Sequence, residues 1–139
     1  MKLGARNQFA GTVTNVLEGT VNGIVSIDVN GVTLTSNISM ASIRELGLKA
    51  GMKACVVVKA TEVMVGLGEH LTLSARNQIP GTVISVEKGD VNSVVKLSAM
   101  GDNVVTSIIS NGSVEALGLK EGVKALAVIK ATSVMVGIE

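Results

Sequence analysis

The chain has 139 residues, a formal net charge of +1, 47% apolar residues and 1% aromatic residues, with Phe9 as the single aromatic side chain. Such an apolar chain with few charges is not disordered, and its balanced charge excludes a nucleic-acid binder that acts through bulk positive charge. The single cysteine, Cys55, excludes an internal disulfide and a multi-cysteine zinc site. The single histidine, His70, excludes Ser-His and Cys-His pairs unless that residue itself takes part.

The chain is a tandem repeat. Residues 5–31 align with 75–101 with 13 identities in 27 positions, and residues 35–66 align with 106–137 with 20 identities in 32 positions. Self-similarity of this extent indicates duplication of one structural unit. We therefore expect one domain at residues 1–66, a linker at 67–71 and a second domain at 72–139.

In each copy the first element with a clear pattern is a half-buried strand. Apolar or small residues alternate with the others over 21–29 and again over 91–99, the period of two that is typical of a strand. Glycine-containing turns follow, and each leads into a second strand of the same hairpin, predicted over Val32–Ile38 and Val104–Ile109.

A short helix comes next, predicted over Ser42–Leu46 and Ser113–Leu117. Ser42 and Glu45 have the spacing of a capping box, which the second copy lacks. A glycine follows the helix in both copies, where a helix-terminating residue is expected.

The last elements are a buried strand over Met52–Lys59 or Val123–Lys130 and a short strand over 63–65 or 134–136, which we expect to close its own repeat. The predicted fold class is all-β with one short helix per repeat, arranged as two tandem OB-like Greek-key barrels. Half of an ordinary sandwich is the alternative. Because domains of this size bury little surface, we expect further burial between domains and between chains.

Few side chains suit catalysis. Cys55 corresponds to Leu126 in the second copy, which indicates a core residue, and His70 has no counterpart and reads as a solvated linker residue. No pair of carboxylates recurs in both copies, so general acid–base catalysis and cation binding lack their residues. One aromatic residue is too few for the stacking surface of a single-strand binder. We expect no enzyme, no catalytic residue, no cofactor, no cation site and no nucleic-acid partner.

What both copies share is a set of hydrogen-bond donors. A guanidinium, an ammonium group, several hydroxyls and the amides at a helix start are the groups that bind oxyanions. An ordinary solvated surface is the alternative explanation for the same residues. The shared candidates are Arg6, Asn7, Ser39, Ser42, Lys59, Ala60 and Thr61 in the first copy, and Arg76, Asn77, Ser110, Ser113, Lys130, Ala131 and Thr132 in the second.

These segments contain no aspartate or glutamate. Phosphate near pH 7 keeps a proton that needs an acceptor, whereas a site made of donors favours a tetrahedral dianion without protons. The donor pattern therefore favours sulfate, molybdate or tungstate over phosphate.

The order of the short motifs resembles that of a known family. Ala-Arg-Asn-Gln, Gly-Thr-Val, Val-Asn, Leu-Gly-Leu-Lys-x-Gly and Lys-Ala-Thr-x-Val-Met-Val-Gly occur twice in this order. The chain thereby resembles the molbindins, with two tandem Mop-type domains over residues 2–66 and 72–138. The resemblance implies an OB-like fold, cytoplasmic binding of molybdate and often tungstate, and no catalysis.

The resemblance also implies that each oxyanion lies between two domains. One site would combine Ser39 and Ser42 with Ser74, Arg76, the Asn77 segment, Lys130, Ala131 and Thr132. The reciprocal site would combine Ser110 and Ser113 with Arg6, Asn7, Lys59, Ala60 and Thr61. Gly4 stands where the second copy has Ser74, so we expect the two sites to differ in affinity.

A second kind of site in this family lies near a Gly-x-Val-Asn turn, where three domains meet on an axis. Asp90 departs from this pattern in the second copy, and its carboxylate would repel an oxyanion. The possible axial residues are Gly19, Thr20, Val21, Asn22, Gly89, Val91 and Asn92.

These features predict a cytoplasmic molybdate- and tungstate-binding protein for storage, buffering and molybdenum homeostasis. The alternative is a sensor or adaptor that signals molybdate status to a partner protein. We expect a homotrimer with six domains and no membrane association, because no apolar run approaches the roughly 18 residues of a spanning helix and the first residues do not form a signal peptide. Neither a phosphate-binding loop of the Gly-x-x-x-x-Gly-Lys type nor room for a helix-turn-helix is present, so we expect a free-standing pair of domains.

Overall fold

The computed structural model describes all residues from 1 to 139 and contains ten strands and two short α-helices. Strands account for most of the regular structure, and each repeat has one α-helix, as predicted. The elements are β1 (Asn7–Leu17), β2 (Asn22–Val29), β3 (Val32–Ser39), α1 (Met40–Leu46), β4 (Lys53–Val58), β5 (Met64–Gly66), β6 (Asn77–Lys88), β7 (Asn92–Ala99), β8 (Asn103–Ser110), α2 (Asn111–Leu117), β9 (Lys124–Ile129) and β10 (Met135–Gly137).

The strands form two curled, five-stranded antiparallel half-barrels that exchange their last strands. One sheet has the order β10-β4-β1-β2-β3 and the other β5-β9-β6-β7-β8. Val136 of β10 pairs with Val56 of β4, and Val65 of β5 pairs with Ala127 of β9. The expectation that the final strand closes its own repeat is therefore wrong. The division at 1–66 and 72–139 describes the sequence repeat, and as a division into folding units it stays a prediction.

The longest strands, β1 and β6, were not among the predicted elements. The inward-facing positions of β1 include Asn7 and Gly11 beside Phe9 and Val13, so the apolar alternation is broken. The strand register also shifts after Val13, where the chain makes a bulge against β2. A bulge changes which residues face inward and so disrupts the period of two further.

Each α-helix begins earlier than predicted. Ser39 is the N-cap of α1, and its Oγ accepts a hydrogen bond from the Ser42 N–H at 3.1 Å. The predicted capping box that begins at Ser42 is therefore wrong, because Ser39 already satisfies the free amide. Gly47 ends the helix with φ +63°, a left-handed conformation that favours glycine, as the sequence predicted. Neither helix is long and apolar enough to cross a membrane.

The main hydrophobic core contains 20 buried residues and draws on both repeats. Phe9 and Val56 of the first repeat belong to the same cluster as Ile79 and Ala127 of the second. Because the core crosses between the repeats, each half of the sequence depends on the other for burial of its apolar surface.

Candidate functional site

A cavity of about 340 Å³ lies where the second repeat meets the first. Five predicted binding residues lie in its wall, all of them from the second repeat. The complete lining is Asn37, Met64, Leu73, Ser74, Ala75, Arg76, Lys130, Ala131 and Thr132.

Strand pairing brings the two cationic residues of this wall together. Arg76 directly precedes β6, and Lys130 directly follows β9. The two strands are antiparallel neighbours in which Asn77 pairs with Ile129, so the start of one lies beside the end of the other. Residues 54 positions apart in sequence thus share one site.

The lining residues whose side chains can donate hydrogen bonds include Arg76 with its guanidinium, Lys130 with its ammonium group, and Ser74 and Thr132 with their hydroxyls. No carboxylate belongs to the lining. Cationic donors form charge-assisted hydrogen bonds to an anion, and these are stronger than bonds between neutral groups. The arrangement is suited to binding a small oxyanion.

The side chain of Asn77 forms its hydrogen bonds outside the cavity, although the preceding residue, Arg76, lines the cavity. Asn77 is buried, its Oδ1 accepts from the Thr35 N–H at 2.8 Å, and its Nδ2 donates to the Thr35 carbonyl at 2.8 Å. Asn7 makes the same two contacts with Thr106, also at 2.8 Å. Both amides therefore join the repeats, and neither side chain lines the cavity.

The helix-start serines lie elsewhere. Ser39 and Ser42 bond to each other through their hydroxyls at 2.9 Å, as do Ser110 and Ser113. None of the four lines the cavity, so a single chain does not bring Ser39 and Ser42 to the Arg76 and Lys130 set.

The first-repeat residues that line the cavity are instead Asn37 and Met64. Asn37 was not among the predicted residues, because those are shared by the two copies and the counterpart of Asn37 is Ile108. No periodic signal marked it, because Asn37 shares the polar positions of β3 with Thr33, Thr35 and Ser39.

The equivalent set in the first repeat differs at two positions. Strands β1 and β4 pair Asn7 with Val58, which places Arg6 beside Lys59 in the same way. Seven of the nine lining residues are identical between the two sets, and the differences are Ile108 for Asn37 and Gly4 for Ser74. Both differences remove a polar group. The matching residues are Leu3, Ala5, Arg6, Lys59, Ala60, Thr61 and Met135.

The predicted axial residues lie in the exposed loops between β1 and β2 and between β6 and β7, except Asn22 and Asn92, which are the first residues of β2 and β7. Val21 is 75% exposed and Val91 is 72% exposed. The Gly89 N–H donates to the Asn92 carbonyl at 2.8 Å, and a Cβ at Gly89 would lie 2.8 Å from the same oxygen. Glycine is therefore required at position 89. Val21 and Val91 each leave apolar surface uncovered.

A second cavity, of about 580 Å³, is mainly apolar and includes Met1, Met52 and Cys55. Burial raises the pKa of the Cys55 thiol, which keeps it protonated. No group of three or more His, Cys, Asp or Glu residues could hold a metal ion.

The comparison with protein families decides the classification. The model of the TOBE domain matches residues 4–65 and 73–136. The chain belongs to the TOBE domain family. Each TOBE domain coincides with one copy of the sequence repeat.

The known proteins to which this chain is similar have names that refer to molybdate or molybdenum. The solved structure of ModG, a cytoplasmic molybdate-binding protein with molybdate bound, is 42% identical, with a TM-score of 0.95 and full coverage of both chains. The molybdenum transport protein ModE of Azotobacter vinelandii is 38% identical over 99% of this chain. A probable molybdenum-pterin-binding protein of Haemophilus influenzae is 49% identical over 50% of this chain and 100% of its own length. The chain spans about half the length of the ModE relatives that it matches.

Proposed function

We propose that this chain is a cytoplasmic, non-catalytic molybdate-binding protein. The observation that carries the proposal is the cavity in which Arg76 and Lys130 converge without a carboxylate. Similarity to ModG along the whole chain supports the same ligand and the same compartment.

The donor set favours molybdate among tetrahedral anions. Hydrogen phosphate needs an acceptor for its proton, and the charged groups of this wall are cations alone. Sulfate has shorter bonds than molybdate, so donors positioned for the larger anion would lie too far from it. Tungstate has the charge and size of molybdate, and we expect it to bind as well.

A second copy of the chain would complete the site. Ser110 and Ser113 are exposed, and Ser39 and Ser42 are partly exposed, while none of the four lies at the cavity of its own chain. The exposed Val21, with its counterpart in the second repeat, supplies apolar surface for association. We propose a homotrimer, because closed symmetry covers such surfaces without open-ended growth.

Storage and buffering of molybdate is the role that we propose for this assembly. The alternative, a molybdate-dependent adaptor, is supported by similarity to the transcriptional regulator ModE of Yersinia pestis over 98% of this chain. The two roles differ in one observable, because an adaptor captures a partner protein only when molybdate is bound. A pull-down with the purified protein, with and without molybdate, tests this difference.

Calorimetric titration tests the binding proposal directly. We expect molybdate and tungstate to bind far more tightly than sulfate or phosphate, and Arg76→Ala combined with Lys130→Ala to weaken molybdate binding. Lys120→Ala is the matched control, because Lys120 is exposed and lies outside the cavity. Equal affinities for sulfate and molybdate, or an unchanged double variant, would contradict the proposal.

A further inference from the structure

We propose that Asn37 binds the oxyanion and makes the cavity of the second repeat a tighter site than its counterpart in the first repeat. The inference rests on the proposed molybdate binding and adds a residue and a difference in affinity to it.

Asn37 lies on β3, opposite Ile24 of β2, and lines the cavity beside the Lys130 segment. Its Oδ1 is the one buried side-chain oxygen or nitrogen in the chain without a hydrogen-bond partner. Because this oxygen is enclosed by protein, the group of the amide left to face the cavity is the NH₂. That group adds a further donor to those of Ser74, Arg76, Lys130 and Thr132.

The amide of Asn37 is not needed for folding. The amides of Asn7 and Asn77 are fully paired and join the two repeats. Position 108, which corresponds to Asn37, carries isoleucine in an equivalent strand. An unpaired buried oxygen costs stability, so an isoleucine at position 37 would fold at least as well. The residue is therefore explained by what it contacts in the cavity.

The two sets of residues then differ in their binding strength. An amide N–H that donates to a charged oxyanion forms a charge-assisted hydrogen bond. The set with Asn37 and Ser74 has two donors that the set with Ile108 and Gly4 lacks. Molybdate would fill the second-repeat cavity first.

The test is a calorimetric titration of the full chain with sodium molybdate. The wild type should show two classes of sites. Asn37→Ile should lower the affinity of the tighter class about tenfold or more, the size expected for one hydrogen bond to a charged group. Asn37→Asp keeps the shape of the side chain but replaces the donor with a negative charge, and should lower the affinity further. Ile108→Asn is the converse variant and should tighten the weaker class.

The outcomes separate this inference from the proposed function. Absence of molybdate binding by the wild type would overturn the proposed function itself. Tight binding to a single class of sites, or two classes that Asn37→Ile leaves unchanged, would overturn the role of Asn37 alone. Urea unfolding of each variant serves as the folding control. If Asn37→Ile or Asn37→Asp does not fold, the affinity of Ile108→Asn, which changes the first-repeat set, tests the role of the amide instead.

Discussion

Asn77 and Thr35 form a two-bond pair that joins the repeats, with the Thr35 N–H and carbonyl both bound to the amide of Asn77 at 2.8 Å. The Asn77 amide thereby pairs with the Thr35 N–H and carbonyl as the backbone of a neighbouring strand would. Thr35 lies two residues before Asn37, and Asn77 directly follows Arg76. The pair therefore fixes the wall of the cavity that comes from the first repeat against the wall from the second.

We expect Asn7→Ala to lower the free energy of unfolding substantially. The variant leaves the N–H and carbonyl of the buried Thr106 without partners, and each such group costs about 1–3 kcal/mol. Urea unfolding followed by circular dichroism measures the loss. Asn15→Ala at an exposed position is the control. An Asn7→Ala variant as stable as that control would contradict the role of the Asn7 amide in joining the two repeats.

Lys130→Ala should weaken molybdate binding while leaving stability nearly unchanged. The side chain is exposed apart from its contact with the cavity, and a hydrogen bond to a charged group is worth about 1.5–3 kcal/mol. Equilibrium dialysis measures the binding, and urea unfolding measures the stability. Lys59→Ala should act in the same way on the first-repeat set. Unchanged binding in both variants would place the site elsewhere.

The exchange of β5 and β10 predicts that the halves of the chain stay together after cleavage of the linker. Residues 67–70 are exposed, so a protease site inserted after Gly68 should be accessible. Each half contributes a strand to the sheet of the other, through pairs such as Val65 with Ala127. Size-exclusion chromatography of the cleaved protein should show one species, and separate elution of the halves would refute the strand exchange as a stabilising feature.

The raised pKa of the Cys55 thiol predicts that it reacts slowly with disulfides. Desolvation disfavours the thiolate, so at a given pH the folded protein contains less of the reactive form than a free thiol. The rate of reaction with a chromogenic disulfide should therefore rise at a higher pH in the folded chain than in the chain unfolded by urea. Identical pH profiles in the two states would show that the fold does not affect this thiol.

The hairpins and the C-terminal ends of the helices were predictable because they depend on neighbouring residues. The turn at Gly31 has φ +86°, and Gly47 ends α1 in a left-handed conformation, so local chemistry determines both. The exchange of β5 and β10 was not predictable, because identical Val-Met-Val-Gly segments in the two copies fit either sheet equally well. These segments therefore contain no signal for the sheet that each one joins.

The candidate site was predictable to the extent that the repeats agree. Arg76 and Lys130 were identified because Arg6 and Lys59 repeat them. Asn37 was missed because Ile108 replaces it. The side chain of Asn77 binds Thr35, so contact of the Asn77 segment with the ligand stays a prediction. A comparison between repeats identifies shared donors, but it cannot show which strand of the other repeat faces them.

The most direct test of oxyanion binding at this cavity is crystallographic. Crystals of the full chain grown with sodium molybdate would be measured on either side of the molybdenum absorption edge. We expect an anomalous peak within hydrogen-bond distance of Ser74, Arg76 and Lys130. Peaks confined to other surfaces, with this cavity empty at saturating molybdate, would contradict the assignment.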